Sequence, residues 1–465
     1  MPGRSGCGSR RAWLARALAC VVGLTVAAPA SAQEPDEGRV RARGGADLRR
    51  CLELADRNHP DLMASRSQLA HVEAQLMEAY AAPFSQFKAT GGVALAPTLR
   101  GNNVFSPNTD VALTSSLGVA WRASISGVLP LWTFGKITNL WDAAEAQVDL
   151  KEAEIEVARD KVRFDVRRAY LGMQFARDAL DLLGDVKRQL QDAEQALEEK
   201  VEEGDADPVD LLKLQTFTAD MDARRAEAER FLRIAKSGLR FYTGVENLQF
   251  RDEPLQKAPH QLGGLQKYLD AARVYRPEVH MARAGVAARE AQVRLSRSKL
   301  FPDIGVGLSA SLSAAPEIAN QINPFANDPG NYFRYGVALV AQWDLDFVPA
   351  VARIDQAEAQ LREVLAQDKK ALGGVAAEVE NAYAEVISFE KRLDAYQRAQ
   401  KLARKWLLTV QQAIDIGGME SKELIDPAKA YAEHRANVLR ATMEYNLAMA
   451  KLAQATGWDA IAQGR

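Results

Sequence analysis

The strongest constraint on this chain is that it contains one unit twice. Leu52, Ala55, Pro60, Asp61, Arg66, Ala70, Glu73, Ala74 and Gln75 recur 217 residues later as Leu269, Ala272, Pro277, Glu278, Arg283, Ala287, Glu290, Ala291 and Gln292, with a single Asp-to-Glu change. Further on, Asp142, Ala144, Glu145, Ala146, Gln147, Val166, Ala169, Tyr170, Gly204, Leu211, Thr243 and Gly244 recur at a spacing of 213 as Asp355, Ala357, Glu358, Ala359, Gln360, Val379, Ala382, Tyr383, Gly417, Leu424, Thr456 and Gly457. The architecture must therefore be built from two equivalent halves. The change of spacing places the length difference within residues 76–141 and 293–354, where surface loops absorb it. Residues 245–267, with Pro254, Pro259, Gly263 and Gly264, read as the connector between a first repeat over 33–244 and a second over 268–465.

Each repeat has the same order: a helix, a β-hairpin (about 84–132 and 301–346), then a long helical hairpin (about 136–243 and 350–457). The long helices carry a heptad. Val162, Val166, Ala169, Met173, Ala176, Leu180, Leu183, Leu190, Leu197 and Val201 follow steps of four and three, interrupted by Lys187 and Glu194. Val375, Val379, Ala382, Val386, Phe389, Leu393, Tyr396, Ala403, Leu407, Val410 and Ile414 repeat it, interrupted by Gln400. These residues read as a structural seam. With no proline from Lys136 to Glu203, a continuous helix there spans about 100 Å.

The hairpin segments alternate instead. Phe87, Ala89, Gly91, Val93 and Leu95 form one period-two set, and Leu117, Val119, Trp121, Ala123 and Ile125 another, opposite Gly118, Ala120, Arg122 and Ser124. In the second repeat Ile304, Val306, Leu308, Ala310 and Leu312 alternate with small residues, and Phe333, Tyr335, Val337, Leu339, Ala341 and Trp343 do the same. Strands of this length, with one apolar face and terminal aromatics, fit a transmembrane β-barrel, although soluble sheets share the alternation. Pro97–Asp110 and Ala314–Gly330, rich in Pro, Asn and Gly, read as external loops. An open edge in lipid costs several kcal/mol per unpaired group, so four strands require partner chains. Three chains would give 12 strands and enclose a channel, but pattern alone does not fix the number three.

The N-terminus supports export. Arg4, Arg10, Arg11 and Arg16 precede the apolar run Leu14–Ala28, and Ala30-Ser31-Ala32 reads as a cleavage site, so residues 1–32 are expected to be a signal peptide. Around Cys20 the match to a lipoprotein site is poor, because the apolar core mostly follows the cysteine. Cys7 and Cys20 leave with the signal and Cys51 stands alone, which excludes an intramolecular disulfide. The full chain has a formal charge of −2, more negative once the signal arginines go, so nothing favours nucleic acid or anionic lipid as a partner.

The duplication, this order of elements, Pro130-Leu131-Trp132-Thr133-Phe134-Gly135-Lys136 and Ala144-Glu145-Ala146-Gln147 together resemble the TolC-type outer-membrane efflux family over essentially the whole mature chain. The resemblance implies a mixed fold, a membrane β-barrel continued by an α-helical coiled-coil barrel. A homotrimer would complete a 12-stranded barrel in outer-membrane lipid and a helical tunnel across the periplasm. The tunnel would dock on a periplasmic adaptor protein and an inner-membrane transporter, making a passive exit duct for efflux or type I secretion. An exported periplasmic coiled-coil scaffold is the alternative, and it leaves the strands without a role.

By the same resemblance, the helix turns mark the periplasmic tips. Gly204, Asp207, Pro208 and Leu211 in the first repeat, and Gly417, Gly418, Ser421 and Leu424 in the second, match the tip pattern that docks the adaptor. A plain helical turn is the alternative, and Pro208 suits a first helical turn in either case. Glu423 and Asp426 fall where the family places the acids of the tunnel entrance. Three apart, they share a helix face, and in a trimer they would form a ring that attracts cations and raises its own pKa values. Solvated acids favoured by a helix dipole are the competing reading. Asp210 keeps the acidic position of the family's closure pair, whereas Met419 stands where its arginine would be.

No catalytic, cofactor or metal site is expected. His59, His71, His260, His280 and His434 lack metal-ligand spacing. Gly305-Val306-Gly307-Leu308-Ser309-Ala310 matches a dinucleotide fingerprint formally, but strand alternation runs through it where a helix should open.

Overall fold

The structure, a computed structural model, describes residues 45–457 except 85, 98–116, 205, 319, 321–326, 329, 417 and 420. The expected signal peptide, most of the first external loop, Gly417 and Glu420 lie outside the described residues.

Each repeat opens with two helices where the sequence suggested one: α1 (Leu48–Asn58) and α2 (Pro60–Ala81), then α5 (Leu265–Tyr275) and α6 (Pro277–Ser298). The breaks fall at His59-Pro60 and Arg276-Pro277, where ψ reaches 128° and 123°. A residue before proline is pushed out of helical space, while proline itself suits the next first turn. Helix α5 also begins inside the stretch expected to be the connector, which is therefore partly helical.

The strands follow: β1 (Phe87–Pro97) and β2 (Leu117–Trp132) in the first repeat, β3 (Asp303–Ala314) and β4 (Tyr332–Gln342) in the second. They form a single antiparallel meander in the order β1-β2-β3-β4, leaving β1 and β4 as edges. The β2–β3 register shifts between Pro130 and Trp132, beyond the last β1 partner, so Pro130 sits where β2 has one neighbour within this chain.

Long helices run from the sheet: α3 (Lys136–Glu203, 68 residues) with α4 (Pro208–Thr243), and α7 (Phe347–Asp415, 69 residues) with α8 (Ile425–Thr456). Helix α3 ends at Gly204 (φ 79°), whose N–H donates to the Lys200 and Val201 carbonyls; Asp207 then caps α4 by accepting the Val209 N–H. Helices α4 and α8 end alike, at Gly244 (φ 66°) and Gly457 (φ 63°).

Every heptad position named above is buried or half-buried. Val162, Val166, Tyr170 and Met173 of α3 pack with Cys51, Ala55, Leu62 and Leu239. Val375, Val379, Ala382, Val386 and Leu393 of α7 pack with Tyr268, Val279, Tyr445 and Leu452. The duplicated pairs Val166/Val379, Ala55/Ala272 and Leu62/Val279 are buried in both halves. The two heptad interruptions of α3 are paired across the seam: Lys187 with Asp222 at 2.6 Å, and Glu194 with the Thr218 hydroxyl at 3.5 Å.

The halves are joined where α3 packs on α6 and α8. The connector is pinned to both sides: the Leu255 N–H donates to Asp178 of α3, and Asn446 of α8 accepts from Ala258 N–H and donates to the Gln256 carbonyl. Arg276 replaces, in the second repeat, the His59 of the first. Its buried guanidinium pairs with Glu278 at 3.0 Å and with Glu378, and donates to the Ala455 carbonyl.

Candidate functional site

Register sorts the sheet into two chemically distinct faces. On one, the rows Ala89–Ile125–Ala310–Tyr335, Gly91–Ala123–Leu312–Phe333 and Leu129–Val306–Leu339 are apolar throughout. That face is uncovered in the single chain: Val93 is 75% exposed, Val337 72%, Leu339 74% and Tyr335 81%. A patch of this extent requires lipid or protein against it. Aromatics lie toward its ends, with Trp121, Phe333 and Tyr335 at the hairpin-loop end, and Trp132, Phe134, Phe301 and Trp343 at the helix end. Phe134 stacks on Phe301 at 5.3 Å, held there by positive φ at Phe134 and Gly135. The Trp and Tyr rings among them are amphipathic and suit the two interfaces of a bilayer.

The opposite face is polar toward the loops and small toward the helices. Thr90, Ser124 and Ser311 share a row with Arg334, and Arg122 shares the next with Ser313 and Tyr332. Near the helix end the face is lined by Gly305, Gly307, Val128 and Val340. A methyl on Gly305 would meet the Leu129 carbonyl oxygen at 2.7 Å, and one on Gly307 would meet the Val340 side chain at 2.8 Å. These glycines admit neighbouring chain and lie within β3, so they cradle no phosphate. At the strand-to-helix junction Lys136 pairs with Asp303 at 2.9 Å.

At the far end of the helices, Gly204, Asp207 and Pro208 form the turn already described. Asp210 pairs with Lys213 at 2.8 Å, Leu211 is half-buried, and Val209 and Leu212 are exposed. In the second turn, the Gly418 N–H donates to the Ala413 carbonyl at 2.8 Å and Met419 is exposed. Ser421–Leu424 is a 3-10 turn and α8 begins only at Ile425, so Glu423 and Asp426 do not share one α-helix as the sequence suggested. Both are exposed, and Leu424 is half-buried between them. Pro427 within the first turn of α8 accounts for the late start.

No helix among the described residues is long and apolar enough to cross a membrane. Among the described residues, no three His, Cys, Asp or Glu side chains gather where they could hold a metal ion. The sequence did not foretell the stacking of Arg122 and Arg334 on Tyr332; period two placed Arg122 opposite the apolar set, but only register brings the three together.

The sequence pattern of the family described as outer membrane efflux protein matches residues 51–245 and 268–458. The chain is 26% identical over 276 residues to the cobalt-zinc-cadmium resistance protein CzcC of Cupriavidus metallidurans, an alignment covering 58% of this chain and 59% of that protein. Among solved structures, CusC superposes with a TM-score of 0.73 at 16% identity, covering 94% of this chain and 99% of that one. The open state of the Neisseria gonorrhoeae MtrE outer membrane channel superposes with a TM-score of 0.71 at 16% identity, covering 89% and 90%.

Proposed function

Because the chain belongs to the outer membrane efflux protein family, we propose that three copies close their sheets edge to edge into one outer-membrane barrel and act as a passive exit duct. One observation carries this reading: a sheet with an uncovered apolar face and two unpaired edges is continuous with helical rods of 68 and 69 residues. In lipid the edges of β1 and β4 demand partners, which a second and third copy supply with matching strands. The apolar face also counts against a periplasmic scaffold, which would hold it in water.

The helix tips would dock on a periplasmic adaptor and, through it, an inner-membrane transporter. The turn residues Gly204, Asp207, Pro208 and Leu211, with Gly418, Ser421 and Leu424, supply the docking surface. Glu423 and Asp426 would line the entrance, with Asp210 and Met419 beside them. CzcC is by name a cobalt-zinc-cadmium resistance protein; here, cargo choice is assigned to the pump and adaptor. An arginine latch at the entrance is absent from this proposal, since Met419 carries no charge.

The test is reconstitution. Detergent-purified protein should migrate as a heat-modifiable trimer and form discrete channels in planar bilayers; a stable lone subunit without detergent would overturn the reading. Glu423→Gln with Asp426→Asn should weaken block by multivalent cations applied from the helix side. Cysteines at Asp207 and Met419 should cross-link to the adaptor in cells.

A further inference from the structure

We propose that the barrel's loop-end mouth carries an oxyanion-binding collar, made by Arg122 and Arg334 around Tyr332, that favours carboxylate- or phosphate-bearing solutes over cations. The inference rests on the trimeric duct reading, which turns the polar face of the sheet toward the lumen. The Arg334 guanidinium lies 4.2 Å from the Tyr332 ring centroid and the Arg122 guanidinium 5.9 Å, so one aromatic ring organises two cations. Arg334 also donates to the Asp328 carbonyl at 3.3 Å, which fixes its fork. The same two rows display the hydroxyls of Ser124, Ser311 and Ser313. Guanidinium forks beside hydroxyl donors, with no strand carboxylate in either row, match the acceptor-rich surface of an oxyanion.

The acids nearby offset part of this charge without matching it in number. The Asp328 carboxylate accepts the backbone N–H groups of Gly330 and Asn331 and keeps its charge near Arg334, so each subunit sets two guanidiniums against this one carboxylate. Glu317 lies against Gly118, four residues outward from Arg122 along β2, a backbone separation of about 13 Å. Asp303, at the helix end of the same face, is matched by Lys136. Lys88, on that face toward the helix end, adds a further cation in each subunit. Three copies would therefore ring the mouth with six guanidiniums.

The experiment is sided block of single-channel current in planar bilayers, with inositol hexakisphosphate added to the barrel side. Wild type should be blocked, Arg122→Gln with Arg334→Gln should raise the half-blocking concentration at least about tenfold, and Arg122→Lys with Arg334→Lys, which keeps the charge but loses the fork, should fall between the two. Unblocked wild-type channels, or equal block in the glutamine variant, would overturn the collar and leave the duct standing. Failure of wild type to form any channel would overturn both.

Discussion

Lys187 of α3 meets Asp222 of α4, Nζ to Oδ1 2.6 Å, at a position where the heptad calls for an apolar side chain. Both groups are partly in water, so the pair contributes about 0.2–1 kcal/mol, whereas burying leucine methylenes in the seam contributes about 0.8 kcal/mol each. Lys187→Leu should thus raise the thermal midpoint of the purified protein by about 1–3 °C. A drop of similar size would show that the ion pair, rather than the seam, holds this section of the hairpin.

The helix-ending glycines differ in what surrounds them. Gly204 has open space where a Cβ would stand, so Gly204→Ala should cost only the left-handed penalty, about 1–2 kcal/mol. A Cβ on Gly244 would press the Asn58 side chain at 2.8 Å, and one on Gly457 would meet the Tyr275 carbonyl oxygen at 2.4 Å. Backbone yields less readily than a side chain, so thermal midpoints should fall in the order Gly204→Ala, Gly244→Ala, Gly457→Ala. Equal losses would mean that backbone conformation alone governs all three.

Burial pushes the Asp160 carboxyl up to about 6, opposed by Arg163 and Arg167 and assisted by Glu278 and Glu156. The folded state then binds more protons than the unfolded chain between about pH 4 and 6, so this group's contribution to stability falls as pH rises through that window. The full effect is at most about 3 kcal/mol. Asp160→Asn should become the more stable protein at pH 7 while matching wild type near pH 4. Parallel melting curves across that range would refute the assignment.

Cys51 is buried in the first core, and its thiol is pushed up to about 12 by burial and, secondarily, by Asp47. A neutral, enclosed thiol is a poor nucleophile. In the mature protein, maleimide labelling at pH 7 should therefore wait for denaturant and report opening of the α1–α3 contact. Prompt labelling of native protein would place this helix cluster among the loosely held parts of the fold.

The sequence alone settled whatever depends on local periodicity. Steps of four and three marked Val162 to Val201 as a helical seam and alternation marked Phe333 to Trp343 as a strand; neighbours along the chain suffice for these because each element imposes its own period on burial, while the duplication was legible because the residue identities themselves recur. Tertiary structure decided what depends on residues distant in sequence. It paired Lys187 with Asp222, set Arg276 among Glu278, Glu378 and Ala455, pinned the connector through Asp178 and Asn446, and brought Arg122 and Arg334 to one tyrosine ring. It also delayed α8, so that Glu423 and Asp426 stand on a 3-10 turn and an α-helix in succession. Register and cross-chain pairing are chosen by packing of whole faces, and no single segment carries that information.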